Sequence, residues 1–178
     1  DKLNLQASLK NTDLYLFQPF LKTLVSDLKG KVDGKLTIKG DIKNPKISGN
    51  ANFTDANFTI NYLKTPYHIN DKALIISNNI FLQNFKLLDK KENEAIVNGM
   101  VDLNKISDPT IDIKIKANNF QALNTTIKDN NLYYGTAYAS GDFNFKGITS
   151  NMNIDIKAKS NDNTVINIPF NSAMTIGD

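Results

Sequence analysis

Gly34-Lys-Leu-Thr-Ile-Lys-Gly40, the turn Asn44-Pro45 and the return run Ile47-Ser-Gly-Asn-Ala-Asn-Phe53 decide how the chain is read. Leu36 and Ile38 alternate with Lys35, Thr37 and Lys39. Successive residues of a strand point to opposite sides, so the segment has one apolar and one wet face. Glycines bracket it and a proline opens the return, which marks a hairpin. The cassette recurs as Gly99-Met-Val-Asp-Leu103 with Ile111-Asp-Ile-Lys-Ile-Lys-Ala117, turning at Asp108-Pro109. It recurs again as Gly141-Asp-Phe-Asn-Phe-Lys-Gly147 with Met152-Asn-Ile-Asp-Ile-Lys-Ala158, turning near Ser150. In each copy the apolar residues sit two and four positions after the glycine, so the chain is a repeat of amphipathic hairpins.

Outward from these hairpins the pattern stays β. Leu3, Leu5, Ala7 and Leu9 alternate with polar residues and predict a first strand. Pro19, then Phe20, Leu21, Leu24, Val25 and Leu28, with Gly30 as a stop, predict one short helix over about 19–29. Phe58, Ile60 and Tyr62 alternate, and short apolar pieces follow at 67–69, 73–76, 80–82 and 85–88, then 95–103. Phe120, Leu123 and Ile127 precede the turn Asp129-Asn-Asn131, the run Leu132 to Tyr138, hairpin three and Val165 to Phe170. About a dozen strands without helical crossovers predict an all-β, antiparallel-rich sheet. The 178 residues suit one domain, and a start in mid-pattern reads as a fragment of a longer chain. Its targeting signal would lie outside it, and no run approaches the roughly 20 apolar residues of a spanning helix.

Composition excludes several functions. There is no Cys, which removes disulfides, thiolate catalysis and Cys-based metal sites. The basic residues are all Lys and are spread along strands at a net charge of +3, a pattern of solvated faces, so no nucleic-acid partner is expected. His68 is the only histidine and sits in Pro-Tyr-His-Ile without a nucleophile motif. Glu92 and Glu94 share a turn, Asn161-Asp-Asn163 reads as a tight turn rather than a calcium loop, and the strand glycines open no helix that could cradle phosphate. No enzyme, metal site or cofactor is expected. The apolar face remains, and the same pattern serves a sealed core or a ligand-lined trough. The repeated phase of the three hairpins favours the trough.

Gly34-x-Leu-x-Ile-x-Gly40, Asn-Pro-x-Ile-x-Gly49 and Thr-Asp-Ala-Asn-Phe-Thr-Ile resemble the repeat of TamB-type translocation and assembly module proteins, in a Bacteroidetes-like version. Asp129-Asn-Asn-Leu-Tyr-Tyr-Gly-Thr-Ala-Tyr-Ala-Ser-Gly141 and Ile166-Asn-Ile-Pro-Phe-Asn-Ser are similar to stretches near the end of that family's C-terminal domain. The resemblance implies an elongated, curled, open β-structure, a half-barrel or taco, with an apolar concave face. It implies a periplasmic protein anchored in the inner membrane and reaching the outer membrane, with kinship to AsmA-like bridges. The function implied is outer-membrane protein assembly or phospholipid transport. Its partners would be acyl chains or client β-strands, and an outer-membrane barrel assembly partner. The inward positions are Leu36, Ile38, Ile47, Phe53, Val101, Leu103, Ile111, Ile113, Ile115, Phe143, Phe145, Met152, Ile154 and Ile156. Two alternatives stand beside it: an outer-membrane β-barrel, whose strands alternate in the same way, and a structural β-helix or adhesin repeat, suggested by the abundance of Asn.

Overall fold

The computed structural model describes residues 2–169. The chain order is β1 (Lys2–Asp13), a 3₁₀ turn (Leu14–Phe17), α1 (Gln18–Leu21), β2 (Val25–Asp41), β3 (Asn44–Ile60), β4 (Thr65–Ile69), β5 (Lys72–Ile76) and β6 (Asn79–Leu88). Then follow β7 (Glu94–Asp102), β8 (Thr110–Thr125), β9 (Tyr134–Ile148), β10 (Asn151–Ser160) and β11 (Val165–Asn167). They form one 11-stranded sheet in the order β1-β2-β3-β4-β6-β7-β8-β9-β10, with β5 beside β3 and β6, and β11 beside β9. Every pairing is antiparallel. The three predicted hairpins are β2–β3, β7–β8 and β9–β10. Among the described residues no pairing joins β1 to β10, so the strands do not close into a barrel, and a β-helix would need parallel rungs.

The sheet curls back on itself. β4 and β8 are separated by β6 and β7 in the sheet order, yet Tyr67 of β4 stacks on Phe120 of β8 with ring centroids 5.0 Å apart. The Tyr67 hydroxyl donates to the Gln121 carbonyl at 2.8 Å. Asp89, fully buried, accepts N–H groups from Lys91, Asn93 and, across the fold, Gln121. A buried carboxylate is tolerated only with such donors. The core gathers inside the curl, around Leu28, Val32, Tyr67, Phe85, Leu87, Val97 and Phe120.

The curl follows from β-bulges. Pairing slips at Leu9/Thr12, Ser26/Lys29, Lys29/Lys31, Leu82/Phe85 and Ala117/Phe120. Asn11, Asp27, Asp55, Asn84 and Asn119, at or opposite these slips, hold positive φ between 46° and 56°. Asn and Asp tolerate that left-handed conformation better than other residues with a Cβ. Four of the amides are held by a side chain from another strand or turn: Asn11 N–H donates to Asp33 Oδ1, Asp55 to Asn70 Oδ1, Asn84 to Asn98 Oδ1 and Asn119 to Ser140 Oγ. Each bulge bends its strand and sharpens the twist.

Two sequence expectations are corrected. The helix does not run over 19–29; α1 ends at Leu21, and Val25 to Asp41 is strand. The bulge at Asp27 inserts one residue, so Val25 and Leu28 reach the same face three positions apart, a spacing that imitates a helix. Gln18 secures this kink, donating to Val25 O at 2.8 Å and accepting Leu28 N–H at 3.0 Å. The helical segment still packs over the concave face through buried Leu14 and half-buried Phe17 and Leu21. The first hairpin turns at Ile42-Lys43 rather than Asn44-Pro45, because the Asp41 carboxylate accepts Lys43 N–H; Pro45 already pairs with Gly40.

Candidate functional site: a concave apolar face that opens at one end

Pairing register places the predicted inward residues on one face. One cross-strand row runs Ala7–Leu36–Gly49–Ile75–Ile80–Val101–Ile111–Gly147–Met152 through nine strands. Beside it lie Leu5–Ile38–Ile47 and Leu82–Gly99–Ile113–Phe145–Ile154. A further row is Phe85–Val97–Ile115–Phe143–Ile156. Phe53 pairs with Val32 and meets Phe85 edge-on at 6.4 Å between ring centroids. Leu103 falls one residue beyond β7, its N–H bonded to Asn78 O. Close approach explains a glycine in such a row: a side chain on Gly99, at φ +138°, would meet the Asp112 carbonyl at 2.1 Å.

The face is not uniformly covered. Along the row through Val97, exposure is 6% at Phe85, 5% at Val97 and 8% at Phe143, then 54% at Ile156 on the sheet edge. Ile154 is likewise exposed. The middle of the face is therefore core, and its β8–β10 end opens into a cleft of about 590 Å³. Of the predicted residues, Ile115, Phe143, Phe145, Ile154 and Ile156 line this cleft, while Ile113 packs against the core behind it. Leu36, Ile38, Ile47, Phe53, Val101, Leu103, Ile111 and Met152 share the face or its margin but stand outside the cleft.

The opposite wall was not read from the sequence. Tyr67, Leu63, Phe120, Leu123, Tyr133, Tyr138 and Ile166 complete it. Phe120 breaks the odd-numbered phase of Ile111 to Ala117 because a bulge intervenes, and Asn118-Asn119 just before it was the available signal. Burial raises the Tyr67 hydroxyl above the usual phenol range, and the group serves as a neutral donor to Gln121 O. At the cleft mouth Asp129 accepts the Thr126 N–H and hydroxyl, which holds its carboxyl below the usual range, and lies 3.9 Å from Lys64 Nζ.

The outward face carries charge: Lys146 pairs with Asp112 at 3.1 Å and Lys116 with Asp142 at 3.9 Å. A membrane barrel would present an apolar band there instead. An exposed patch of Leu74, Ile76 and Phe81 does interrupt this face near β5–β6. His68 lies on the strand face opposite Tyr67 and Ile69, with Nε2 3.4 Å from Glu92 Oε2. Among the described residues no three His, Cys, Asp or Glu side chains converge as metal ligands, and no helix is long and apolar enough to cross a membrane.

The family model described as the TamB C-terminal domain matches residues 2–79 and 83–176. No curated protein and no solved structure matches the chain.

Proposed function

The chain belongs to the TamB C-terminal domain family, and from that premise we propose that it is a non-enzymatic periplasmic module whose concave face shields apolar segments from water. The family belongs to periplasm-spanning proteins of outer-membrane protein assembly or lipid transport. The finer reading is a hydrophobic groove that takes acyl chains or a client β-strand on their way to the outer membrane. The full-length protein would be anchored in the inner membrane and work beside an outer-membrane barrel partner. The observation that carries the groove is the step in exposure at the end of one row, from 8% at Phe143 to 54% at Ile156, beside a cleft walled by aromatic side chains. Large apolar side chains held open to solvent on a concave wall mark a binding surface rather than a finished core.

Mass spectrometry of organic extracts of the purified chain tests it. Phospholipid or other acyl lipid should co-purify with the wild type and be depleted in Ile154→Asp/Ile156→Asp. Equal recovery from both proteins would refute the groove.

A further inference from the structure

Among the described residues no strand pairs with the outer side of β10, so backbone N–H and C=O groups stand unpaired along that sheet edge. Natural edges are guarded by proline, a bulge, shortness or a charge turned inward. β10 has none of these: it runs ten residues from Asn151 to Ser160 without proline and pairs with β9 without a slip. Its inward residues are Met152, Ile154, Ile156 and Ala158, and its charges, Asp155, Lys157 and Lys159, alternate with them on the outward face. The opposite edge differs, since the slip between Leu9 and Thr12 interrupts β1. The β10 edge is also self-complementary. When a strand pairs antiparallel with a second copy of itself, the twofold axis must pass through a residue for the facing backbone groups to match. An axis at Asp155 sets two carboxylates together and one at Lys157 two ammonium groups, and like charges directly opposite are destabilising. An axis at Ile154 gives no pair of opposite charges. An axis at Ile156 pairs Met152 to Ser160 in full and sets Asp155 against Lys157 of the second copy, twice over. On the inward face it sets Ile156 against Ile156 and Ile154 against Ala158.

We propose that β10 is a homodimer interface: it pairs with β10 of a second copy of this chain about a twofold axis at Ile156, which joins the two sheets with both concave faces on one side. The row Val97–Ile115–Phe143–Ile156 then continues into the second copy, and apolar surface that is open at the edge is covered. The pairing stops short of the Asn161–Thr164 loop, whose ends bond back to Tyr138 of β9. A contact of β10 with β1 of another copy would instead repeat head to tail without closing. The inference stands apart from the groove reading, because a strand edge pairs whether or not the concave face holds a ligand.

Sedimentation equilibrium of the chain up to about 1 mM tests it, with charge reversals on the outward face. The wild type should reach twice the mass of one chain and no more. Asp155→Lys and Lys157→Asp should each weaken the dimer about ten-fold, because each turns both attractive pairs into repulsive ones. The double variant Asp155→Lys/Lys157→Asp restores opposite charges and should return within about three-fold of wild type. The chain has no Cys, so single cysteines report the register: Ile156→Cys should oxidise to a disulfide-linked dimer, and Ile154→Cys, which faces Ala158 of the second copy, should not. All variants should keep the wild-type circular dichroism, and the two charge reversals should still bind diphenylhexatriene, an apolar dye, so that loss of the dimer is distinguishable from loss of the groove. A single chain's mass at every concentration would overturn the proposal. So would growth beyond two copies, failure of the double variant to recover, or a dimer that ignores the charge reversals but is lost in Leu74→Asp on the β5–β6 patch.

Discussion

An aspartate scan along Phe85–Val97–Ile115–Phe143–Ile156 separates core from cleft within one row of the sheet. At Val97, 5% exposed, the change removes about 1.5–3 kcal/mol of apolar burial. It also leaves an unpaired polar group in the interior, which adds about 1–3 kcal/mol even before its charge is counted. The sum is of the same order as a total stability of about 5–15 kcal/mol, so Val97→Asp should be largely unfolded or insoluble. At Ile156, 54% exposed, about half of the apolar burial was never made, and the new carboxylate stays in water. The loss there is about 1 kcal/mol, which lowers the melting temperature of a chain this size by roughly 2–4 °C. Circular dichroism melts and diphenylhexatriene titration read the two quantities independently. Ile156→Asp should remain folded with a small drop in melting temperature and at least a several-fold loss of probe affinity. Ile113→Asp, half-buried against the core, should fall between the two in stability. The reasoning is refuted if Ile156→Asp unfolds like Val97→Asp, or if it folds and binds the probe like wild type.

Gly99→Ala should be strongly destabilising in thermal melts, because its methyl meets the Asp112 carbonyl at 2.1 Å and the residue must hold φ +138°. Asn84→Val should lower the melting temperature, since a β-branched residue at φ 48° costs on the order of 1–3 kcal/mol, whereas Asn84→Gly should be nearly neutral. Asp108 is held below the usual carboxylate range by the Ser150 N–H, then the Ser150 and Thr149 hydroxyls, and it joins the β7–β8 and β9–β10 turns. Because its folded pKa is depressed, its contribution is full above the unfolded value of about 4 and is lost as pH falls below it; amide protection factors in these turns, corrected for the intrinsic rate at each pH, should fall in acid, and less so in Asp108→Asn. His68→Ala should leave acyl-lipid co-purification unchanged.

Alternation made the three hairpins legible, because a run such as Ile111 to Ala117 keeps one phase along its whole length. It failed wherever a bulge changed that phase. Ile80 and Leu82 are even-numbered, Phe85 and Leu87 odd, and all four face inward because Asn84 occupies an extra position between them. Read without that insertion, β6 looks like two pieces, and the same slip at Asp27 makes a strand look helical. The abundance of Asn, which suggested a β-helix or adhesin repeat, is partly this bulge chemistry, as at Asn11, Asn84 and Asn119. The face of the site was therefore readable, but not its depth. Whether Val97 or Ile156 is covered depends on the distance between β4 and β8, a long-range closure to which strand periodicity is blind.

Bulges also connect the curl to the opening. A flat sheet with this apolar row would expose all of it, and a uniformly curved one would tend toward a closed barrel. Here the slip at Asn119 turns the end of β8 so that Phe120 meets Tyr67, while β9 and β10 beyond it pair without a slip from Ile148 to Ala139. The last hairpin carries no such slip, and on its outer strand, the edge of the sheet, Ile154 and Ile156 are open to solvent while Phe143 of its inner strand is buried. The polar residues at the bulges and the apolar residues on the face act together: the first set how far the sheet closes, and the second determine what can enter the space that remains.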